Sequence, residues 1–177
     1  MSQKPPFVVT AAGPGDAVDL GETHVKAWRE SYPGLLPQPY LNGLSSTLHA
    51  RRFDHQLRRA KAGEAILVAE DERGVIGYSA GVLSGRSAEV HTLYVLKRSK
   101  GQGVGRALLS AAARTFAAQG AERLMLWVLR DNASARGFYA HLGGVPAEAK
   151  TEPTAGGVLP QVAYRWDDIA VLAGLPA

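Results

Sequence analysis

The chain of 177 residues contains no cysteine. Disulfide bonds, thiolate metal ligands and a cysteine nucleophile are therefore excluded. The sequence also lacks an apolar run of about 18 residues, the length that a membrane-spanning helix needs. Its first ten residues, MSQKPPFVVT, lack the apolar core of a secretory signal. We therefore expect a cytoplasmic protein that does not associate with a membrane.

The sequence has no strong excess of charge of one sign: positive residues exceed negative ones only slightly, and the formal net charge is +4 at pH 7. An anionic ligand suits this balance without being required by it. The sequence has no Lys/Arg-rich tract interleaved with aromatic residues, so we expect no nucleic-acid partner. The histidines do not occur in pairs at metal-ligand spacing on one element, so we expect no metal site. They are His24, His49, His55, His91 and His141.

The sequence does contain the succession of strands and helices that is typical of an α/β domain. Its length and its composition, 46% apolar and 20% charged, indicate a single domain over residues 1–177. Hydrophobic periodicity predicts helices near 16–32, 47–61, 103–119 and 132–142, and strands near 7–12, 64–71, 75–85, 88–95, 123–129, 145–150 and 158–166. We therefore predict a mixed, mostly antiparallel, twisted sheet with helices on both faces.

A glycine-rich turn separates strand 88–95 from the helix that follows it. The stretch RSKGQGVGRALL, residues 98–109, holds three glycines that alternate with Gln102 and Val104. A helix that begins there exposes unpaired N–H groups and the positive end of its dipole. Four cations surround the turn, namely Lys97, Arg98, Lys100 and Arg106. The combination favours a phosphate or pyrophosphate site, although a tight strand–helix connection would also need glycine. The fingerprints of ATP and dinucleotide sites are absent.

Two motifs in this region resemble those of the GNAT-type N-acetyltransferase superfamily. Residues 100–105, KGQGVG, fit the family's acetyl-CoA loop [Q/R]-x-x-G-x-[G/A], except that Lys100 stands where Arg or Gln is usual. The later pattern N-x-x-A-x-x-F-Y is matched by Asn132, Ala135, Phe138 and Tyr139. The resemblance covers about residues 64–144 and is specific because both motifs occur in the right order and spacing.

The resemblance implies a GNAT-like fold in which strands 88–95 and 123–129 form a central parallel pair that splays apart. It also implies acetyl-CoA as co-substrate, with the pantetheine arm along the backbone of Leu93, Tyr94 and Val95 and further contacts from Asn132 and Tyr139. The pyrophosphate would lie on the glycine turn, formed by Lys100, Gly101, Gln102, Gly103, Val104, Gly105 and Arg106. The missing cysteine agrees with direct transfer of the acetyl group to an amine.

Two residues are candidates for the proton transfers of this reaction. By family position, Tyr139 would act as general acid towards the departing CoA thiolate, although a tyrosine on an apolar helical stripe is often a core residue. Glu89 lies six residues before Val95 and could accept the proton of an ammonium acceptor, although a solvent-facing glutamate is common near a strand start. His91 is the alternative base; it shares the face of Glu89 unless a bulge interrupts the strand.

The acceptor itself is not identified by the sequence. Trp28 and Tyr32 lie four residues apart on the first helix, and with His91 they are candidates for its binding pocket, although two aromatic residues at this spacing are often core. We expect a small-molecule or peptide amine. A non-catalytic acyl-CoA-binding sensor or regulatory domain is the alternative, and a site for another nucleotide is a third possibility. The family makes a homodimer plausible.

Overall fold

Seven strands form one sheet in the computed structural model, which describes residues 6–154 and 157–176. The strands are β1 Val8–Ala11, β2 Glu64–Asp71, β3 Gly74–Ser84, β4 Ser87–Val95, β5 Arg123–Leu129, β6 Val145–Thr154 and β7 Gly157–Trp166. Their order across the sheet is β1-β2-β3-β4-β5-β7-β6. The pair β4–β5 is parallel and the other neighbouring pairs are antiparallel, which confirms the predicted mixed sheet. The two ends of the predicted domain and residues 155 and 156 lie outside the described residues.

Helices cover both faces of the sheet, as predicted. They are α1 Ala17–Ser31, α2 Gln38–Asn42, α3 Ser46–Arg58, α4 Val104–Ala118, α5 Ala133–His141 and α6 Ala170–Ala173. Helix α2 was not expected, because the prolines around it predict only a break after the first helix. Pro39 lies in the first turn of α2, where its missing N–H costs no helical hydrogen bond. Within the described ranges, no helix is long and apolar enough to span a membrane.

Two apolar layers hold the helices against the sheet. On one face, Leu108 and Phe116 of α4 pack with Val90 and Leu126 of the central strands. On the other face, Leu20 of α1 packs with a second buried cluster that includes Tyr78 of β3. Burying each large apolar side chain contributes roughly 2 kcal/mol, so the first layer holds the paired part of β4 and β5 against α4. The carboxyl ends of these two strands border the site described below.

The central strands β4 and β5 separate part of the way along their length. Their pairing ends at Val90 and Leu126, whereas β4 continues to Val95 and β5 to Leu129. This is the splayed parallel pair that the family resemblance implies. A gap opens between the two strands at their carboxyl ends, the position at which α/β sheets commonly bind ligands.

A β-bulge interrupts β4 next to this gap. Ala80 of β3 pairs with Thr92 and Gly81 pairs with Val90, so His91 is the extra residue. Gly81 permits the close approach of the strands, because a Cβ atom at this position would lie 2.6 Å from the carbonyl oxygen of Glu89. Bulges of this kind redirect the side chains that follow them.

The bulge changes which residues of β4 share a face. Val90 belongs to the core beneath α4, and beyond the bulge Leu93 and Val95 pack against that same core. Tyr94 packs instead against the cluster beneath α1. Strict alternation would put Glu89 and Tyr94 on opposite faces, whereas the inserted residue places both on the α1 face.

Candidate active site

A cavity of about 1260 Å³ occupies the gap between β4 and β5 and extends to the glycine turn. Every residue that the sequence predicts for catalysis, cofactor binding or acceptor binding borders it. These residues are Trp28, Tyr32, Glu89, His91, Leu93, Tyr94, Val95, Lys100, Gly101, Gln102, Gly103, Val104, Gly105, Arg106, Asn132 and Tyr139. The fold therefore brings together positions that are up to about a hundred residues apart in the chain.

The glycines of the turn have two different roles. Gly101 and Gly103 have φ values of +76° and +85°, in the left-handed region that other residues avoid, and Gly103 is the N-cap of α4. Gly105 lies inside α4, where an added Cβ would be 3.3 Å from Cζ of Phe138. The first two glycines therefore shape the turn, and the third makes room for helix α5.

The positive charge at the turn is smaller than the sequence suggests. Nη1 of Arg98 lies 2.6 Å from Oδ2 of Asp71, and this hydrogen bond lowers the pKa of Asp71 below its ordinary value. The ion pair with Asp71 therefore offsets part of the charge that Arg98 brings to the turn. Lys97 and Lys100 are exposed.

Arg106 supplies the donor that fits an anionic ligand at the turn. Its Nε is buried and has no hydrogen-bond partner among the described residues. Buried donors are nearly always paired in folded proteins, so an unpaired guanidinium N–H beside the cavity suits a phosphate group. The start of α4 adds its unpaired backbone N–H groups to the same place. The residues present therefore fit a pyrophosphate.

Helix α5 brings Asn132 and Tyr139 to the cavity. Oδ1 of Asn132 accepts a hydrogen bond from the backbone N–H of Ala135 at 3.1 Å, so this residue is an N-cap. The ring of Tyr139 is buried 5.8 Å from that of Tyr164 and 6.4 Å from that of Trp166. Burial, and then the neighbouring Tyr32, raise the pKa of the Tyr139 hydroxyl above its ordinary value. Tyr139 is therefore a core residue by its ring and borders the cavity as a protonated phenol.

Glu89 and His91 lie where the strands begin to separate. Glu89 pairs with Met125 one step before the pairing of β4 and β5 ends, and it is half-buried. His91, the bulged residue, is exposed, and its Nδ1 lies 3.4 Å from Oγ1 of Thr92. Glu89 thus presents a carboxylate at the point of separation, whereas the imidazole lies closer to solvent.

An aromatic wall formed by Trp28, Tyr32 and Tyr94 closes the α1 side of the cavity. The ring centroids of Trp28 and Tyr32 are 5.1 Å apart, and the hydroxyls of Tyr32 and Tyr94 share a hydrogen bond of 2.8 Å. Nε1 of Trp28 is buried without a partner in the part of the chain that the structure describes. The two predicted α1 residues therefore pack together and border the cavity at once.

The opposite wall comes from β6 and β7 and was missed by the sequence analysis. Nζ of Lys150 lies 4.2 Å from the ring centroid of Trp127 and 3.4 Å from Oε2 of Glu152. Gln161 of β7 pairs with Lys150 and also borders the cavity. No motif marks these residues, because only the antiparallel return of β7 beside β5 places them there. The described residues contain no cluster of three or more potential metal ligands.

Comparison with known proteins identifies the family. The model of the acetyltransferase (GNAT) family matches residues 25–143. The uncharacterized N-acetyltransferase YuaI of Bacillus subtilis is 30% identical over 166 residues, which cover 90% of this chain and 92% of that protein. The fold is similar to that of PaiA N-acetyltransferase from Thermoplasma acidophilum, solved with coenzyme A, at a TM-score of 0.71 and 20% identity over 88% of this chain and 97% of that chain.

A second solved structure shows the same fold. The acetyltransferase yncA of Salmonella typhimurium, solved with its cofactor acetyl-CoA, matches with a TM-score of 0.67 and 16% identity, covering 91% of this chain and 93% of that chain. At these identities the structures establish the fold alone. The family model and the bacterial relative each span most of the chain, and on their evidence the protein belongs to the GNAT family of acetyltransferases.

Proposed function

We propose that the protein transfers an acetyl group from acetyl-CoA directly to a primary amine of a small molecule or peptide. The observation that supports this most strongly is the single cavity that joins the glycine turn to Glu89 and Tyr139 through the gap between β4 and β5. Acetyl-CoA supplies the thioester whose acetyl group is transferred. A cytoplasmic location stays a prediction of the sequence, and a homodimer stays an expectation from the family resemblance.

The cofactor would be held at two places along β4 and α4. The pyrophosphate would be bound by the turn from Lys100 to Arg106, through the backbone N–H groups at the start of α4 and the unpaired Nε of Arg106. The backbone of Leu93, Tyr94 and Val95 lies beyond the last pairing of β4 with β5 and would hold the pantetheine arm. Asn132, already an N-cap, borders the same end of the cavity.

Glu89 is proposed as the general base. An ammonium has no lone pair, so the acceptor amine must lose a proton before it attacks the thioester carbon. The half-buried carboxylate of Glu89 lies at the separation of the strands and can take this proton directly or through a water molecule. His91 is the alternative base, and it is the more exposed of the two.

Tyr139 is proposed as the general acid. A phenol is protonated at neutral pH because its ordinary pKa lies near 10, and burial raises the pKa of Tyr139 further, so the hydroxyl is available as a donor. Negative charge develops on the carbonyl oxygen as the amine attacks, and on the leaving sulfur as the bond between the carbonyl carbon and sulfur breaks. A hydrogen bond from Tyr139 would stabilise the charge on the sulfur. Trp28 and Tyr32 would wall the acceptor, with His91 on the strand beside it.

A screen of primary amines that follows CoA release tests the proposal, and variants at the two candidate bases sharpen it. Glu89→Gln should lower kcat/KM by about 10²-fold or more at neutral pH, with recovery as the pH rises and free amine accumulates. His91→Ala should keep kcat near the wild-type value, and any loss should appear in the KM for the amine, because His91 borders the proposed acceptor pocket. If His91→Ala loses activity and Glu89→Gln does not, the histidine is the base. CoA binding without turnover of any amine would favour the sensor instead.

A further inference from the structure

Two carboxylates from separate elements bind the residues that precede the glycine turn. These residues form a single 3-10 turn, Lys97–Ser99, which is followed by the loop of residues 100–106. Oε2 of Glu30, near the end of α1, accepts a hydrogen bond of 2.7 Å from the backbone N–H of Lys97. Oδ2 of Asp71, at the end of β2, accepts a hydrogen bond of 2.6 Å from Nη1 of Arg98. Neighbouring residues of the turn are thus held from two directions.

The carboxylate of Asp71 is fixed by a second hydrogen bond. Oδ1 of Asp71 accepts a hydrogen bond of 2.8 Å from the backbone N–H of Arg73, which ties the carboxylate to the turn after β2. The side chain of Asp71 is only 17% exposed and that of Arg98 34%, so solvent screens this ion pair less than an ordinary surface pair. Glu30 is half-buried on α1.

Gln102 links the turn Lys97–Ser99 to the glycine segment that follows it. Its side-chain Nε2 donates a hydrogen bond of 3.0 Å to the backbone carbonyl of Arg98. Gln102 lies between Gly101 and Gly103, whose positive φ values form the bend before α4. Glycine backbones lose the most conformational entropy on ordering, so bonds that hold this segment in advance reduce the cost of binding a ligand.

We propose that Glu30 and Asp71 are positioning residues that hold the loop in the geometry needed to bind the CoA pyrophosphate. The proposal rests on the proposed pyrophosphate site at residues 100–106. Glu30 borders the cavity and Asp71 does not, and neither carboxylate is expected to bind the phosphates directly, because both are acceptors and carry the same sign of charge as the phosphates. The charge on each would oppose a nearby anion, so a purely electrostatic effect and a positioning effect have opposite signs.

The opposite signs allow a direct test by isothermal titration of CoA. We expect Glu30→Ala and Asp71→Ala to raise the Kd for CoA about threefold to tenfold, a range set by the worth of a partly exposed charged hydrogen bond. Glu30→Gln keeps its oxygen acceptor and should retain most of the affinity. Asp71 accepts with both of its oxygens and asparagine has only one, so Asp71→Asn should fall between the wild type and Asp71→Ala. In steady-state assays the alanine variants should raise the KM for acetyl-CoA with kcat nearly unchanged, which loss of general stability would not produce.

Two controls separate this proposal from the site on which it rests. Asp54→Ala removes an exposed carboxylate that pairs with Arg58 on α3 and should leave the Kd for CoA unchanged. Gly103→Asp should abolish CoA binding. If Gly103→Asp binds CoA like the wild type, the pyrophosphate site and the positioning role are both wrong. If Gly103→Asp does not bind CoA but both alanine variants bind as tightly as the wild type, or more tightly, the positioning role alone is overturned.

Discussion

At the scale of single residues, Tyr139 shows how a core position can also be a functional one. The sequence places it on an apolar helical stripe, and its ring is indeed buried against Tyr164 and Trp166. The residue nevertheless borders the cavity with a protonated hydroxyl, and burial raises the pKa of that hydroxyl above its ordinary value. Removing the hydroxyl alone therefore separates the two roles, because the packing is conserved.

Tyr139→Phe is expected to lower kcat by about 10²-fold, near the lower end of the usual range for a general acid. The affinity for CoA and the melting temperature should change little, because phenylalanine fills the same space. Tyr164→Phe is the matched control, since it removes a phenol from the same buried cluster and Tyr164 is not among the cavity residues. Unchanged kcat in Tyr139→Phe, with chemistry shown to be rate-limiting, would leave Tyr139 with a packing role only.

Residue identities predicted which side chains surround the cavity better than they predicted the charge there. Lys100, Arg106 and Glu89 could be placed by motif and spacing. The ion pair of Arg98 with Asp71 could not be predicted, because Asp71 lies 27 residues earlier in the chain. It is at the end of a strand that meets the loop only in the folded sheet. The acidic run around Asp71 indicated no more than a turn.

At the scale of secondary-structure elements, continuous or strictly periodic segments were predicted best. Strand β5 has the predicted bounds, Arg123–Leu129, because its nearly unbroken apolar run ends at the charged residues Arg130 and Asp131. The bulge at His91 was considered but not located, since its position depends on contacts across β3 and β4. Gly81, a glycine inside a strand and opposite the bulge, was the available signal.

The packing of α1 on α3 gives a prediction about pH. Nδ1 of His24 lies 2.5 Å from the hydroxyl of Tyr78, and the rings of His24 and His49 are 4.1 Å apart. Burial, then His49 and Arg52, lower the pKa of His24 from 6.5 to about 3. Burial and Arg52 also lower the pKa of His49. Both histidines are therefore neutral in the folded protein at neutral pH.

Because the folded state resists protonation, the unfolded chain binds the proton first as the pH falls below 6.5, and stability is lost between that value and about 3. The titration of His24 alone should lower the free energy of unfolding by about 2 kcal/mol by about pH 5, at about 1.4 kcal/mol per pH unit. Melting curves between about pH 7 and pH 5 should show a smaller decline for His24→Phe than for the wild type. Variant His55→Gln, at an exposed position of α3, should follow the wild type. Equal declines in all three proteins would contradict the prediction.

At the scale of the whole molecule, the fold was predictable because the strand–turn–helix–strand unit around the glycines fixes the centre of the sheet. The wall from β6 and β7 was not predictable, because it depends on β7 lying between β5 and β6. Its residues are Lys150, Glu152 and Gln161. Local sequence defines the part of the cavity at the glycine turn, whereas long-range topology defines the wall from β6 and β7. This difference explains why the glycine turn could be recognised in the sequence and that wall could not.

Binding of CoA should stabilise the entire fold, because the proposed site joins β4, the loop and α4, all of which belong to one cooperative core. At about 100 times its Kd, a ligand that binds only the folded state adds roughly 2.7 kcal/mol, which should appear as a rise in melting temperature. ATP at the same concentration should give a smaller rise if the loop serves CoA and not another nucleotide.

Gly103→Asp should remove the rise by placing a carboxylate where the phosphates bind. Gly85→Asp is the matched control: Gly85 also has a positive φ, +59°, but lies in the turn between β3 and β4 and away from the cavity. That variant should melt at a lower temperature and keep the full rise with CoA, and an equal loss of the rise in both variants would show that backbone strain, and not the anion site, is responsible.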